Sequence, residues 1–395
     1  MNDNDVVIVS AKRTAMGSFQ GVFTAVSATD LGAEAIKATL SDVSLDLTHV
    51  DEVLMGCVLP AGLGQAPARQ AALKADLPLG TPCTTVNKVC GSGMKTVMLG
   101  HDAIKAGTVE SVIAGGMESM TNAPYLLPKV RSGLRLGHSE VVDHMFFDGL
   151  ENAKDNQLMG AFAELCADKF EFTRQQQDDY AIESVQRALQ AVEAGEFNQE
   201  ITAVSITSRQ GETIIAQDEQ PFKCKIEKIP NLKPAFRKTN GTVTAANSSS
   251  ISDGAAAILL MSAKKARELG LKPIAKIVAH STHAQAPEEF TTAPVGAIKK
   301  LLEKTQWTTE DVDLFEINEA FAVVAMAAIK ELALDDSKVN SFGGACALGH
   351  PIGASGARLI VTLVHALNRE NKQRGIASLC IGGGEATAIA IETIK

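Results

Sequence analysis

The chain contains CGSGMKTVMLGHDAIKAG at residues 90–107 with VIAGGMESM at 112–120, and later PIGASGARLIVTLVHALNR at 351–369 with LCIGGGEATA at 379–388. In both copies a Gly/Ser turn opens an amphipathic helical pattern, and the following strand pattern ends in glycines and an acidic residue. A weak internal duplication is the simplest explanation. The two copies therefore predict two similar α/β halves that face each other and bring two helix N-termini near one centre.

The rest of the chain alternates between short β-branched runs and longer helical patterns. VVIVSA at 6–11 and IAKIVAH at 274–280 are predicted strands, and residues 30–40 are a predicted helix. Such alternation is typical of parallel or mixed sheets that are covered by helices. The sequence therefore predicts an α/β fold.

Residues 120–245 have a different character. A turn-rich piece at 122–138 precedes polar helical patterns such as 173–194, and a Lys/Pro-rich stretch follows at 221–238. The segment is too long and too helical for an ordinary linker, so we expect an inserted domain that forms a lid or a substrate platform. The predicted domains are an N-terminal α/β half at 1–119, completed by about 246–272, a loop domain at 120–245 and a C-terminal α/β half at 273–395.

The composition argues against several classes of protein. The net charge is −9 and no long Lys/Arg run occurs, so no nucleic acid is expected as a partner. No run of about 18 apolar residues occurs, so no membrane span is expected. The N-terminal MNDNDVVIVSAKRT also lacks the features of a signal peptide. Seven scattered cysteines then predict reduced thiols and a cytoplasmic location.

Cys90 is the first candidate for chemistry. It precedes Gly-Ser-Gly and a helical pattern, so its thiol is predicted to lie at a helix N-terminus. The partial positive charge there favours a thiolate, which is the nucleophilic form, and the glycines let a ligand carbonyl approach backbone N–H groups. A buried structural cysteine beside a turn remains the alternative.

Three other residues lie where a turn is predicted. His350 stands between Gly and Pro, and the near-neutral pKa of an imidazole suits a general base. Cys380 precedes three glycines, whose backbone amides could face an oxyanion. Asn318 begins an Ala-rich helical pattern. The alternatives are a satisfied structural histidine, a core cysteine and a helix N-cap.

Metal and P-loop nucleotide sites are not predicted. Cys346 and His350 are four residues apart, but no CxxC pair and no second histidine at a matching interval accompany them. The phosphate-binding pattern GxxxxGK[ST] is absent as well. We therefore expect no metal ion and no prosthetic group.

Six collinear blocks of the chain resemble the signature blocks of thiolases, and the likeness runs from about residue 5 to the C-terminus. The blocks are SAKRTAMGSFQG at 10–21, NKVCGSGMKT at 87–96, NGTVTAANSSSISDGAAA at 240–257, NEAFA at 318–322, GGACALGHPIGASGAR at 343–358 and CIGGGEA at 380–386. The chain is most similar to the biosynthetic, acetoacetyl-CoA type in length and in the NEAFA block. The resemblance implies a five-layer α-β-α-β-α fold made of two similar halves, with an inserted loop domain that holds coenzyme A.

The resemblance also implies roles for five residues. Cys90 would be the acylated nucleophile, and His350 would take its proton and later help to polarise the thioester carbonyl. Cys380 would be the acid/base that removes a proton from the methyl group of the incoming acetyl-CoA. Asn318 would hold a water that forms one oxyanion hole with His350, and the N–H groups of Cys90 and Gly382 would form the other. The implied reaction is the reversible condensation of two acetyl-CoA to acetoacetyl-CoA and CoA.

Other positions match the coenzyme A contacts of the family or depart from its pattern. The matching residues are Ser249, Met159, Leu150, Phe236, Ala245, Ala320 and Phe321. The departures are ANSSS in place of GNASG around Ser249, Leu158 in place of a histidine, and Phe342, Cys346 and Glu385 in place of Asn, Ile and Met. The Leu158 change makes the implied acyl pocket more apolar, which leaves a longer acyl chain possible.

Two other functions remain open. A 3-ketoacyl-CoA thiolase of fatty-acid β-oxidation would use the same residues, and the pocket around Leu158, Met159 and Phe290 would separate the two. An inactive acyl-CoA or lipid-binding relative would be expected to lack one of the three reactive side chains, and all three are present. The resemblance further implies a homotetramer, a dimer of dimers, with residues 121–140 as the candidate contact.

Overall fold

The computed structural model describes residues 1–209 and 211–394. The strands are β1 (Val6–Thr14), β2 (Gly17–Ser18), β3 (Glu52–Gly56), β4 (Cys83–Val86), β5 (Ser111–Ser119), β6 (Tyr125–Leu126), β7 (Val142–Asp143), β8 (Ile201–Thr202), β9 (Val204–Ser208), β10 (Gly211–Ile215), β11 (Ser252–Ser262), β12 (Ala275–Ala284), β13 (Leu314–Ile317), β14 (Arg374–Ile381) and β15 (Glu385–Thr393). The α-helices are α1 (Ala28–Ser41), α2 (Pro67–Lys74), α3 (Ser92–Lys105), α4 (Met159–Phe170), α5 (Arg174–Glu193), α6 (Gln220–Lys223), α7 (Ala263–Glu268), α8 (Ala293–Thr305), α9 (Ala322–Leu332), α10 (Ala345–Leu348) and α11 (Ser355–Arg369). Among these described helices, none is long and apolar enough to cross a membrane.

The two halves of the chain repeat one strand order. In the N-terminal half, β1 pairs antiparallel with β11 and β11 with β5, and β3 and β4 follow in parallel. In the C-terminal half, β12 pairs antiparallel with β15 and β15 with β14, and β13 follows in parallel. The sheets join edge to edge, because β1 also pairs with β12 through Val6, Val7 and Ile8. The topology therefore confirms two similar halves.

Helices form three layers around these sheets. α3 and α11 pack on each other between the two sheets, and their apolar residues share one core cluster with both. α1 and α2 cover the outer face of the N-terminal sheet, and α8 and α9 cover that of the C-terminal sheet. α11 is buried on nearly every side, as a central helix has to be. This arrangement is the predicted five-layer α-β-α-β-α fold.

Glycines let the turns of the two halves meet at the centre. A Cβ on Gly116 would lie 2.0 Å from the carbonyl oxygen of Gly353, and one on Gly356 would lie 2.4 Å from the backbone nitrogen of Met94. Both distances are far shorter than a van der Waals contact, so no larger residue fits at either position. The glycines of the duplicated turns thus decide how closely the two halves approach each other.

The segment between β5 and β11 is anchored to the first strand by buried charges. Arg13 on β1 is fully buried, and it donates from Nε to Glu200 at 2.6 Å and from Nη1 to Asp218 at 2.7 Å. Leaving any of these three groups unpaired in the interior would be strongly destabilising. Within the segment, α4 packs on α9, and α5 packs on α9 and α10. The inserted segment is therefore attached to both halves.

Candidate active site

Cys90 lies in a strained turn between β4 and α3. Val89, directly before it, has a φ of 46°, a left-handed conformation that β-branched residues rarely adopt. Side chains hold the turn: Asn87 Oδ1 accepts from the N–H of Val89 at 2.9 Å, and the Ser92 hydroxyl donates to the Val89 carbonyl at 2.7 Å. Gly91 is the N-cap residue of α3, so the thiol lies at the helix N-terminus. Strain that is held in place in this way is common at functional sites.

The protonation state of Cys90 differs from the sequence-based expectation. Burial raises the pKa of its thiol to about 11, although the backbone N–H groups of Gly382 and of Cys90 itself act in the opposite direction, and the Glu118 carboxyl adds to the rise. The resting side chain is therefore a neutral thiol, because burial outweighs the helix N-terminus. Cys90 still keeps some accessible surface, so a substrate can reach it.

His350 is buried and neutral in the turn before α11. Burial lowers the pKa of its imidazole to about 3, and the Arg358 guanidinium contributes. The Ser355 hydroxyl donates to the carbonyl of Pro351 at 2.9 Å, so its oxygen accepts from Nδ1–H of His350 at 2.6 Å. This pairing leaves a lone pair on Nε2, which a general base requires.

Asn318 lies against this imidazole. Its Nδ2 is 3.5 Å from Nε2 of His350, and its Oδ1 is buried without a hydrogen-bond partner among the residues that the structure describes. The alternative of a helix N-cap is wrong, because α9 begins only at Ala322 and its N-cap residue is Phe321. Asn318 is thus free of a capping role and faces the imidazole.

Glu319 anchors the loop that carries Asn318. Its buried carboxylate accepts hydrogen bonds from the side chains of Ser184 at 2.7 Å and Asn340 at 2.9 Å. It also accepts from the N–H of Cys346 at 3.0 Å. Cys346 is itself buried beneath this loop. The loop is therefore fixed from three sides before it reaches the imidazole.

Cys380 and Gly382 come from the end of β14. Cys380 is buried, and burial together with the nearby Cys90 raises the pKa of its thiol well above the usual value. Gly383 and Gly384, at φ of 92° and 88°, turn the chain directly into β15. The turn brings the N–H of Gly382 within hydrogen-bonding reach of the Cys90 sulfur. Both thiols and this amide therefore meet at one place.

Four of the residues expected to contact coenzyme A lie beside the second thiol. Met159, Phe236, Ala320 and Phe321 belong to one apolar cluster that also contains Cys380. The rings of Phe236 and Phe321 pack edge to face with centroids 5.9 Å apart. The cluster forms an apolar wall next to Cys380.

The other three expected contacts are placed differently. Ser249 donates its hydroxyl to the carbonyl of Ala320 at 3.0 Å, which links it to that wall. Leu150 packs with Cys90 in a second apolar cluster. Ala245 is exposed and belongs to neither cluster.

Glu118 is a residue of this site that the sequence did not single out. It is fully buried, and its carboxylate accepts from the N–H groups of Val58 and Gly353 at 2.9 Å and of Leu59 at 3.1 Å. It thus joins the loop after β3 to the turn that carries His350. Burial raises the pKa of Glu118 to about 7, although the three N–H donors act to lower it. The only sequence signal was an acidic residue after the glycines of the first duplicated strand.

Two departures from the family pattern have structural explanations. Glu385, which begins β15, forms an ion pair with Lys88, and this pair joins the two halves directly beside Cys90. Phe342 lies against the Arg369 guanidinium, whose central carbon is 4.3 Å from the ring centroid. Both residues therefore stabilise contacts between segments that are distant in the sequence.

Two known domain families together match nearly the whole chain. The thiolase N-terminal domain matches residues 6–264, and the thiolase C-terminal domain matches residues 271–393. The chain belongs to the thiolase family. The family that the sequence blocks predicted is thereby confirmed.

Individual relatives have similar length. The chain is 49% identical over 389 residues to the acetyl-CoA acetyltransferase of Pseudomonas aeruginosa, which covers 98% of this chain and 99% of that protein. It is 49% identical over 396 residues to the acetyl-CoA acetyltransferase of Schizosaccharomyces pombe, which covers 100% of both. The crystal structure of Acat5 thiolase from Ascaris suum in complex with coenzyme A has a TM-score of 0.94 at 44% identity, over 99% of this chain and 100% of that one. The Bacillus anthracis acetyl-CoA acetyltransferase has a TM-score of 0.96 at 41% identity, over 99% of both chains.

The raised pKa of Cys90 predicts how its reactivity depends on pH. We expect alkylation by iodoacetamide to accelerate steadily between about pH 6 and pH 10, because below its pKa a thiol supplies thiolate in proportion to hydroxide. The rate at Cys90 would be followed by peptide mass spectrometry, with glutathione as the reference thiol. A plateau near neutral pH would contradict the neutral resting thiol.

The position of Glu118 predicts a second effect on the same reaction. Above about pH 7 the Glu118→Gln variant should alkylate at Cys90 roughly threefold to tenfold faster than the native protein, because a negative charge near the thiolate is removed. Below that pH the two proteins should react alike, since Glu118 is then protonated. The matched control is Glu110→Gln. Glu110 directly precedes β5, whereas Glu118 lies near the end of that strand. Equal rates across the whole pH range would show that Glu118 does not act on the thiol.

Proposed function

We propose that the protein is an acetyl-CoA C-acetyltransferase, which condenses two acetyl-CoA to acetoacetyl-CoA and CoA and catalyses the reverse thiolysis. The observation that carries the proposal is a pair of thiols, Cys90 and Cys380, close enough for Cys90 to raise the pKa of Cys380, in a protein that also keeps His350 neutral. One thiol can hold an acyl group while the other moves a proton, as the joining of two acyl units requires. The names of the relatives from Pseudomonas aeruginosa and Schizosaccharomyces pombe support the acetyl substrate.

In the first half-reaction, the Cys90 sulfur attacks the acetyl carbonyl of acetyl-CoA while Nε2 of His350 takes the thiol proton. The bond between the acetyl carbon and the CoA sulfur then breaks. Cys380 gives its proton to the CoA sulfur, so CoA leaves as a thiol and His350 keeps its proton. The N–H groups of Cys90 and Gly382 are the proposed donors to the oxyanion, and their effect on the Cys90 thiol supports this. Losing one such donor costs on the order of 10²–10³ in rate.

In the second half-reaction, the Cys380 thiolate removes a proton from the methyl group of another acetyl-CoA, and the carbanion attacks the acetyl group on Cys90. Nε2–H of His350 and a water at the unpaired Oδ1 of Asn318 are the proposed donors to the enolate oxygen. The Cys90 sulfur finally leaves and takes back the proton from His350.

The apolar wall beside Cys380 supports a short acyl group. Phe290 is buried and packs edge to face on Phe321, with ring centroids 6.3 Å apart, in the cluster that contains Met159. These bulky side chains are the proposed limit on the length of the acyl chain. Leu158 is only partly buried at the start of α4. A leucine in place of the family's histidine at this position therefore does not by itself extend the apolar wall beside Cys380.

We further propose that coenzyme A is the only ligand that the reaction needs, with no prosthetic group, and that the loop domain at 120–245 helps to hold it. The Ascaris suum thiolase structure, which contains coenzyme A, supports this. The proposed contacts are Ser249, Met159, Leu150, Phe236, Ala245, Ala320 and Phe321. The positions of all but Ala245 beside one of the two thiols support the assignment.

A homotetramer in the cytoplasm, with a role in fatty-acid metabolism, completes the proposal. The segment at 121–140 exposes apolar side chains, with Leu127, Val130, Leu134 and the 98% exposed Leu136 among them. Exposed apolar side chains that lie close together mark a contact with another chain. All seven cysteines are free thiols, which supports a reducing compartment.

The activity is tested with 3-ketoacyl-CoA esters of short, medium and long chain. We expect CoA-dependent thiolysis of the four-carbon ester, with the trapped acyl group on Cys90 by peptide mass spectrometry. Cys90→Ser should lower the rate by at least about 10³, whereas Cys83→Ser, the matched control, should not.

The other outcomes separate the competing functions. Comparable turnover of medium or long chains would make the protein a broader 3-ketoacyl-CoA thiolase of β-oxidation. Binding of CoA esters without acylation of Cys90 would replace the catalytic proposal by an acyl-CoA-binding function.

The proposed assembly predicts the effect of charge in the exposed segment. Leu134→Glu combined with Leu136→Glu should convert tetramers to dimers, because two carboxylates cannot be buried in an apolar contact without a large desolvation cost. Light scattering after size-exclusion chromatography measures the mass. The control is Leu79→Glu, which changes another strongly exposed leucine, outside the segment. A tetramer that survives the double substitution would exclude this segment as the contact.

A further inference from the structure

A cluster of three potential metal ligands lies at the end of α3 that is opposite to Cys90. It consists of His101 and Asp102 near the C-terminus of α3 and His280 on β12. One ring nitrogen of each histidine and a carboxylate oxygen all lie within 4.8 Å of one another. We propose that these three side chains bind a divalent transition-metal ion. The ion would link α3, the central helix of the N-terminal half, to β12 of the C-terminal sheet.

The geometry of the cluster is already close to that of a ligand set. Oδ1 of Asp102 is 2.8 Å from Nε2 of His280 and 3.1 Å from Nδ1 of His101. Ligands that each lie about 2.0–2.1 Å from one ion are about 3 Å apart. The two imidazole rings stand at 90° with centroids 4.9 Å apart, so both can face one point without overlap. Only small movements would bring all three atoms around an ion.

The donor types select the class of metal. Two imidazoles and one carboxylate suit zinc, cobalt, nickel or copper better than magnesium or calcium, which prefer oxygen alone. An imidazole binds a metal ion through a ring nitrogen that carries no proton. The cluster therefore offers one carboxylate oxygen and two imidazole nitrogens.

The surroundings favour a cation as well. His101 is nine-tenths buried, and its Nε2 has no hydrogen-bond partner in the described part of the chain, so no protein donor opposes the tautomer that leaves Nδ1 bare. The C-terminal end of α3 also carries the negative end of the helix dipole. Two ammonium groups of the region have partners outside the three ligand atoms: Lys105 lies 3.8 Å from Asp5, and Lys304 donates to the backbone carbonyl of His280 at 2.8 Å.

The location indicates a structural ion. Asp102 is 56% exposed, so an ion can enter from solvent without opening the core. α3 begins beside Cys90, and the ion would hold its far end against a strand of the other half. The expected consequence is a more stable contact between the halves, with the proposed chemistry at Cys90 left unchanged.

The test uses the full chain after removal of metal with a chelator and blocking of accessible thiols with iodoacetamide, so that cysteines do not capture the probe. Zn²⁺ is titrated by calorimetry, and thermal unfolding is followed with and without it. The variants are His280→Gln and Asp102→Asn. The matched control is His283→Gln, which removes another half-buried imidazole from the same strand.

We expect one Zn²⁺ per chain in the native protein and in His283→Gln, with a rise in the unfolding temperature. Both cluster variants should bind at least about tenfold more weakly and lose that rise. Circular dichroism would confirm that the variants fold, and so would thiolysis rates measured on protein that was not treated with iodoacetamide. An absence of saturable binding, or equal binding by His280→Gln, would overturn the proposal and leave the cluster as two hydrogen bonds to Asp102.

Discussion

Direct contact between the backbones of the two halves is the constraint on which the rest of this structure depends. The turn at Gly353 rests on Gly116 of β5, and Gly356 at the start of α11 rests on Met94 of α3, with no room for a side chain at the glycines. This contact brings the N-termini of the two central helices together. The residues just before those helices, Cys90 among them, are thereby collected at one centre, although they are more than two hundred residues apart in the chain.

The same close packing decides the protonation states at that centre. Because solvent is largely excluded, both thiols have raised pKa values and His350 a strongly lowered one. All three groups are neutral at rest, and charge can develop only when a proton passes from one to another. In the proposed reaction, the amides of Cys90 and Gly382 and the polar atoms of Asn318 supply the preorganised dipoles that a developing negative charge requires.

Buried and partly buried carboxylates hold the loops and turns of the site in place. Glu118 joins the loop after β3 to the turn of His350, Glu319 fixes the loop of Asn318, and Glu385 pairs with Lys88 beside the nucleophile. Each carboxylate connects segments from different parts of the chain. Rigid support of this kind is what keeps reactive groups within the narrow distances that catalysis needs.

From the sequence we could predict the α/β class, the two similar halves, the family and a short list of candidate reactive side chains, because these predictions rest on local periodicity and on residues that stand together in blocks. Only the tertiary structure decided that Cys90 rests as a thiol, that Asn318 faces an imidazole and caps no helix, and that Glu118 belongs to the site. It also placed His280 beside His101 and Asp102 from far along the chain. The physical reason is that burial, pKa shifts and long-range hydrogen bonds depend on which segments pack together, and no spacing in the sequence records that packing.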